Sequence, residues 1–188
     1  SQGGQLIAFI NLGAIAAYGL VGRADRVGRR RMLMLNLAGF ALSSLASGLA
    51  PGILSLAVMQ LLGRMFLIGS TAMAMVYAAE EFPAARRGLT LGIVQGFLSL
   101  GMILGAALTP WLLTASTGWR TVYLIGAVPV LLVPVGRRLV GETRRFQEAV
   151  EAPGAGSMTF RELWRSPYRP RLLIVGFLWF AAFWGTQS

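Results

Sequence analysis

Few side chains in this sequence could carry chemistry, and they are unevenly placed. Seven carboxylates, Asp25, Glu80, Glu81, Glu142, Glu148, Glu151 and Glu162, stand beside seventeen arginines. There is no lysine, histidine or cysteine, and the formal charge is +10 over 188 residues. Without a thiol there is no disulfide, no thiol nucleophile and no thiolate metal site. No carboxylate falls inside the long apolar stretches, so none there could act as a general base or metal ligand. Neither a metal, a cofactor nor enzymatic catalysis is expected. One charge does fall inside them. Arg64 is the sole ionised group between residues 32 and 79. A guanidinium so placed can bind a carboxylate-bearing ligand, couple to a protonatable partner, or be held structurally by backbone carbonyls. Gln60, Ile68 and Thr71 share its face at helical spacing, and Asn11 and Gln95 are polar groups of the same kind in other apolar runs.

Composition sets the elements that must position these groups. The chain is 55% apolar and only 13% charged, with a mean hydropathy of +0.64, against a charged fraction of about 25% in ordinary soluble domains. That balance belongs to a membrane protein. A bilayer core of about 30 Å takes about 20 apolar residues per helix, and on that ruler five crossings and a partial sixth fit. The first covers residues 4–22. Residues 32–63 carry no charge and are too long for one crossing. Pro51-Gly52 therefore divides them into a hairpin, whose second arm runs through Arg64 to about residue 79. Further crossings are expected over 89–113 and 119–140, with a turn at 114–118 between them. A polar, arginine-rich connection over 141–171 contains Pro153-Gly154-Ala155-Gly156, and residues 172–188 begin another apolar helix. The expected architecture is an all-α integral membrane bundle, because only structures that close their own backbone hydrogen bonds span lipid.

Alternating crossings place fifteen of the seventeen arginines on one side, in the stretches 23–31, 86–87 and 137–171. The positive-inside rule makes that side cytoplasmic and turns the Pro51 tip outward. The basic excess therefore reports orientation in a bilayer rather than nucleic-acid binding, since the runs leave no soluble domain to carry it. Ser1-Gln2-Gly3-Gly4 has no positively charged region, so no signal peptide is expected.

The stretch after the first crossing reads Gly22-Arg23-Ala24-Asp25-Arg26-Val27-Gly28-Arg29-Arg30-Arg31. It resembles the G-x-L-A-D-R-x-G-R-R signature of the major facilitator superfamily, in the cytoplasmic loop joining family helices 2 and 3. In this register Val21 stands at the motif's first glycine and Arg23 at its leucine. The hairpin's second arm carries Gly63-Arg64 and ends in Glu80-Glu81-Phe82-Pro83-Ala84-Ala85-Arg86-Arg87-Gly88. This is similar to the G-R … E-x-x-P-x-x-x-R-G pattern of sugar porters and of metabolite:proton symporters for organic and aromatic acids. Gly141-Glu142-Thr143-Arg144-Arg145-Phe146 resembles the P-E-S/T-P-R motif of sugar porters without its prolines. Gly92-x-x-x-Gly96 and Gly101-x-x-x-Gly105 supply small residues for close helix contact. Met102, where drug exporters typically have proline after glycine, tilts the reading toward an importer.

The resemblance implies a helical bundle covering family helices 2 to 6 and part of 7. Residues 1–140 would be an N-terminal half lacking its first helix, 141–171 the cytoplasmic central loop with a short interfacial helix at 158–164, and 172–188 the start of the second half. It implies a multi-pass inner-membrane secondary transporter, a monomer when full length, moving a small organic acid or sugar with protons by alternating access. An exporter of the same fold, or a non-transporting sensor or scaffold, is the alternative. Arg64, Gln60, Asn11 and Gln95 become candidates for substrate or coupling, with the proton-carrying carboxylate lying in family helix 1 or the second half. Gly22, Asp25, Arg26, Gly28, Arg29 and Arg30 form a gating loop, in which Asp25 is expected to face a helix N-terminus of the other half. Glu80 and Glu81 are expected to pair with Arg29, Arg30, Arg86 and Arg87 in a cytoplasmic charge cluster that latches the inner side.

Overall fold

The computed structural model describes residues 2–114 and 118–151, together with 167, 169, 170, 173 and 174. These residues are helical with no strand among those described. In chain order they form α1 (Gln2–Val27), α2 (Arg29–Gly48), α3 (Ile53–Glu81), α4 (Arg87–Leu113), α5 (Trp119–Gly126), a 3-10 turn (Val128–Leu131), α6 (Leu132–Leu139) and α7 (Arg144–Glu151). Residues 1–152 make one compact unit. The interfacial helix expected at 158–164 lies outside the described residues, as do Trp179, Phe183 and Trp184. Of the final apolar helix only Leu173 and Ile174 are described, both helical.

Four helical stretches are long and apolar enough to cross a membrane: Gly4–Val27, Ile53–Glu81, Arg87–Leu113 and Trp119–Leu139. The fifth crossing read from the sequence is α2, whose composition is more polar. Its polar groups point into protein: Asn36, Ser43, Ser44 and Ser47 are all buried. α2 is the centre of the unit, packed against α1, α3, α5, the 3-10 turn and α6. A helix enclosed on so many sides can satisfy serines and an amide against its neighbours rather than expose them to lipid. Ser44, for example, donates to the Tyr123 carbonyl at 2.8 Å.

Two expectations change. The motif 22–31 is not a loop: α1 continues to Val27 and α2 starts at Arg29, so Gly28 is the only non-helical residue. Nothing between Gly22 and Val27 is a strong helix breaker, and alanine and arginine favour the helix. The crossing at 119–140 keeps its place but is broken into α5, the 3-10 turn and α6. Pro129 sits in the first turn of the 3-10 segment and Pro134 in α6. Each proline removes a backbone donor and crowds the preceding turn, which favours local tightening over a continuous α-helix.

The hairpin forms as expected, with 49–52 as its turn. The Ser55 hydroxyl accepts from the Gly52 N–H at 3.2 Å and donates to the Gly52 carbonyl at 2.7 Å, starting α3. Pro83 follows the end of α3, and residues before proline are driven out of the α region.

Glycines set how closely the first three helices approach. A Cβ on Gly39 of α2 would lie 2.6 Å from the Phe66 ring of α3. A Cβ on Gly69 of α3 would collide with the buried Asn36 amide, and one on Gly13 of α1 with the Leu61 carbonyl of α3. In a membrane such contacts do what water exclusion does elsewhere, because lipid tails offer no hydrophobic driving force between helices. The glycine pairs expected to do this on α4 make no such approach among the described residues. A Cβ at Gly92, Gly96, Gly101 or Gly105 would meet nothing there within 4 Å, and no described residue of α4 is buried. α4 packs on α3 and α5 and stands at the margin of the unit.

These contacts give a direct expectation. In the detergent-solubilised full-length protein, Gly69→Ala lowers stability by about 1–3 kcal/mol, the usual cost of overpacking a filled site. Gly22→Ala, where space is open, is neutral or stabilises by about 0.5–1 kcal/mol. Thermal unfolding followed by intrinsic fluorescence checks both.

Candidate functional site

The ends of α1, α3 and α6 and the starts of α2 and α7 meet at one end of the bundle. The opposite end is marked by Arg120, whose guanidinium donates to the Ala50 carbonyl at 3.3 Å. The first end rests on an apolar floor of Ala24, Met32 and Met73, with Leu20, Val21, Leu33 and Val76 packed against it. Val21, standing where the motif has glycine, fills this floor.

Gly28 makes the junction above the floor. Its φ of +103° is a backbone state that favours glycine, and a Cβ there would lie 2.6 Å from the Glu142 carboxylate. The sharp turn at Gly28 carries the Arg29 side chain toward the end of α3. Arg29 Nε donates to Glu80 at 3.1 Å and Nη2 donates to the same carboxylate at 3.2 Å, a forked arrangement. Nη2 also reaches Asp25 at 2.9 Å, and Nη1 donates to the Ala24 carbonyl at 3.2 Å. The Arg29 guanidinium lies 5.1 Å from the centre of the Phe146 ring, within cation–π range. Arg29 and Glu80 side chains are each only 14% exposed, whereas Asp25 is 49% exposed. The pair with Glu80 is therefore the sheltered one, and Asp25 neutralises the same guanidinium from the rim.

The segment after α6 completes the arrangement. The Thr143 hydroxyl, fully buried, donates to Glu80 at 2.7 Å. Glu142 accepts the backbone N–H of Arg30 at 3.0 Å and that of Thr143 at 3.3 Å. The Arg30 guanidinium donates to the Arg137 carbonyl, and the Tyr77 hydroxyl lies 3.3 Å from the Gly141 carbonyl. Three sequence motifs, at 22–31, 80–88 and 141–146, thus interact, the third through Glu142, Thr143 and Phe146, which were not among the cluster residues expected from sequence.

The expected cluster is narrower than its sequence outline. Arg86 is exposed, and neither it nor Arg87 makes an ion pair with Glu80 or Glu81 among the described residues. Phe82 and Pro83 end α3 and lead the chain away before Arg86 and Arg87 enter the next helix. Glu81 Oε2 and Arg87 Nε are buried and have no hydrogen-bond partner among the described residues. Arg26 and Gly22 are exposed. Buried Asn36 also went unnoticed in the sequence: its amide donates to the Met32 carbonyl at 2.7 Å, and its Oδ1 has no hydrogen-bond partner among the described residues.

At mid-span, Arg64 is exposed on α3 and has no hydrogen bond or ion pair among the described residues. Gln60, one turn earlier, is turned toward α2, with Nε2 at 3.5 Å from Ser47 Oγ. Asn11 on α1 and Gln95 on α4 are exposed. α3 packs against both of those helices. Among the described residues no three carboxylates converge as a metal site would require.

Membrane-length helices, glycine-set packing and an arginine-centred end define a multi-pass integral membrane protein. The Major Facilitator Superfamily profile matches residues 1–188, and the chain belongs to that family of transport proteins. It is 35% identical over 133 residues to the gallate transporter of Pseudomonas putida, covering 70% of this chain and 29% of that one. It is 28% identical over 165 residues to the arabinose-proton symporter of Bacillus subtilis, covering 79% and 35%. The inward-open xylose transporter XylE from E. coli superposes with a TM-score of 0.69 at 19% identity, covering 90% of this chain and 43% of that one. The fold is therefore the facilitator fold, and the chain spans about a third of the length of these curated relatives.

Gly28→Ala should be the most disruptive single change at this end. Strained backbone and collision with Glu142 together lower stability by roughly 1–3 kcal/mol. Adding Glu142→Ala restores part of that loss, because it removes the collision and leaves the strain. Thermal unfolding of the two variants measures the difference.

Proposed function

We propose that the full-length protein is a secondary active transporter that takes up a small organic acid or sugar with protons, working by alternating access. Residues 1–140 are its first half without the leading helix. The single observation that carries this reading is Arg64, an exposed cation halfway along a membrane-length helix, unpaired among the described residues. A bare guanidinium facing lipid costs about 2.5–3.5 kcal/mol or more at the bilayer centre. That cost is removed when the residue faces a water-filled cavity, and it turns into binding energy when a carboxylate enters. Among the two cargo classes this favours the organic acid, in keeping with a relative named for gallate. Asn11 and Gln95 line the same cavity and orient the polar end of the cargo.

At the cytoplasmic end, Arg29, Glu80 and Asp25 act as part of the inner gate. Asp25 is the exposed member, and it is the group that meets the other half when the gate shuts. The proton is carried by a carboxylate in the remainder of the full-length protein, since the four apolar crossings hold none away from their ends.

The test is uptake of labelled aromatic and aliphatic acids and of pentoses into proteoliposomes, driven by an imposed pH gradient. Wild type accumulates an organic acid. Arg64→Ala loses roughly 10- to 100-fold in uptake, the equivalent of one charged hydrogen-bond pair, and Arg64→Lys retains a fraction. Undiminished uptake in Arg64→Ala removes the residue from the site, and accumulation that ignores the pH gradient removes the proton.

A further inference from the structure

A second feature of the cytoplasmic end lies on the flank of α2. A groove of about 700 Å³ runs along this helix, with Arg30, Arg31 and Arg137 at one end. Below them its walls are Met34, Leu35, Ala38 and Leu42, with the Phe66 ring under Gly39. Arg30 to Leu42 is twelve residues, about 18 Å of helix, close to the depth of one leaflet's hydrocarbon. The wall residues recur at positions 34, 35, 38, 39 and 42, so they form one continuous face. Leu35 and Leu42 on that face are 47% and 58% exposed. No acidic residue lines the groove.

We propose that this groove holds a phospholipid with an anionic headgroup, its phosphate against Arg31 and Arg137 and one acyl chain along α2. Charge complementarity and polarity order select the occupant. Cations stand only at the cytoplasmic rim, where anionic headgroups lie, and below them the walls offer an apolar track without a polar side chain. A soluble anion would leave that track unfilled, and a neutral lipid would leave the arginines unmatched. Arg31 is exposed and has no partner among the described residues, so its charge is available. Arg30 lends its guanidinium to the Arg137 carbonyl and its N–H to Glu142. The groove's rim is thereby joined to the Arg29–Glu80 end, and lipid occupancy would steady the α2 start relative to α6.

The experiment uses the full-length protein extracted from vesicles of equal phosphatidylglycerol and phosphatidylcholine, with retained lipid counted by native mass spectrometry. Wild type retains phosphatidylglycerol in preference to phosphatidylcholine. Replacing Arg31→Gln with Arg137→Gln lowers that retention by about tenfold, on the scale of two cations near an anionic headgroup. Arg145→Gln, an exposed cation away from the groove, leaves retention unchanged. Arg31→Gln alone gives an intermediate loss, which separates lost binding from lost folding of the double variant. Excess glycerol 1-phosphate fails to displace the lipid. Equal retention of the two lipids, equal loss in Arg145→Gln, or displacement by glycerol 1-phosphate would overturn the proposal.

Discussion

The sheltered ion pair of Arg29 with Glu80 is the constraint around which this end of the bundle is arranged. A charge pair removed from water is stabilising only where geometry and further hydrogen bonds offset the lost hydration. Here the forked contact, Thr143, Asp25, the Ala24 carbonyl and the Phe146 ring supply those offsets from four separate segments. The demand for such partners explains why α1 and α2 meet at one glycine and why a segment distant in sequence folds back over the end. Losing one partner would strand the others. The pair therefore specifies an arrangement more than it adds stability, in keeping with the gate role proposed for it.

The body of the unit obeys a different economy. Lipid cannot solvate serines and amides, so they gather on α2, where neighbouring helices enclose them. The margins carry the opposite pattern. α4 is mostly apolar and has no buried residue within the unit, and the exposed polar heads of Gln95 and Arg64 sit on α4 and on α3 beside it.

Much of this was legible before the structure. Charge-free runs of membrane length gave the crossings, and the Pro51-Gly52 break gave the hairpin. These signals are local or additive, so a single sequence carries them. What was misread depends on contacts between segments. The stretch 22–31 looks like a loop because its glycines and arginines suit one, yet only Gly28 leaves the helix, and the lack of a side chain there makes room for Glu142, over a hundred residues away. Glycine spacing on α4 looks identical to spacing that packs helices, and only the neighbours decide whether it does. Arg86 and Arg87 match a motif but are directed by Pro83, whereas Thr143, an unremarkable threonine in sequence, completes the carboxylate's shell.

A double-mutant cycle on the full-length protein addresses the central claim most directly: Arg29→Gln, Glu80→Gln and the combination, each followed by unfolding in detergent. If the two side chains hold this end together, the losses are non-additive, with a coupling of about 1 kcal/mol or more. Losses that simply add would mean that Arg29 and Glu80 act independently, and the arrangement described for this end of the bundle would be wrong.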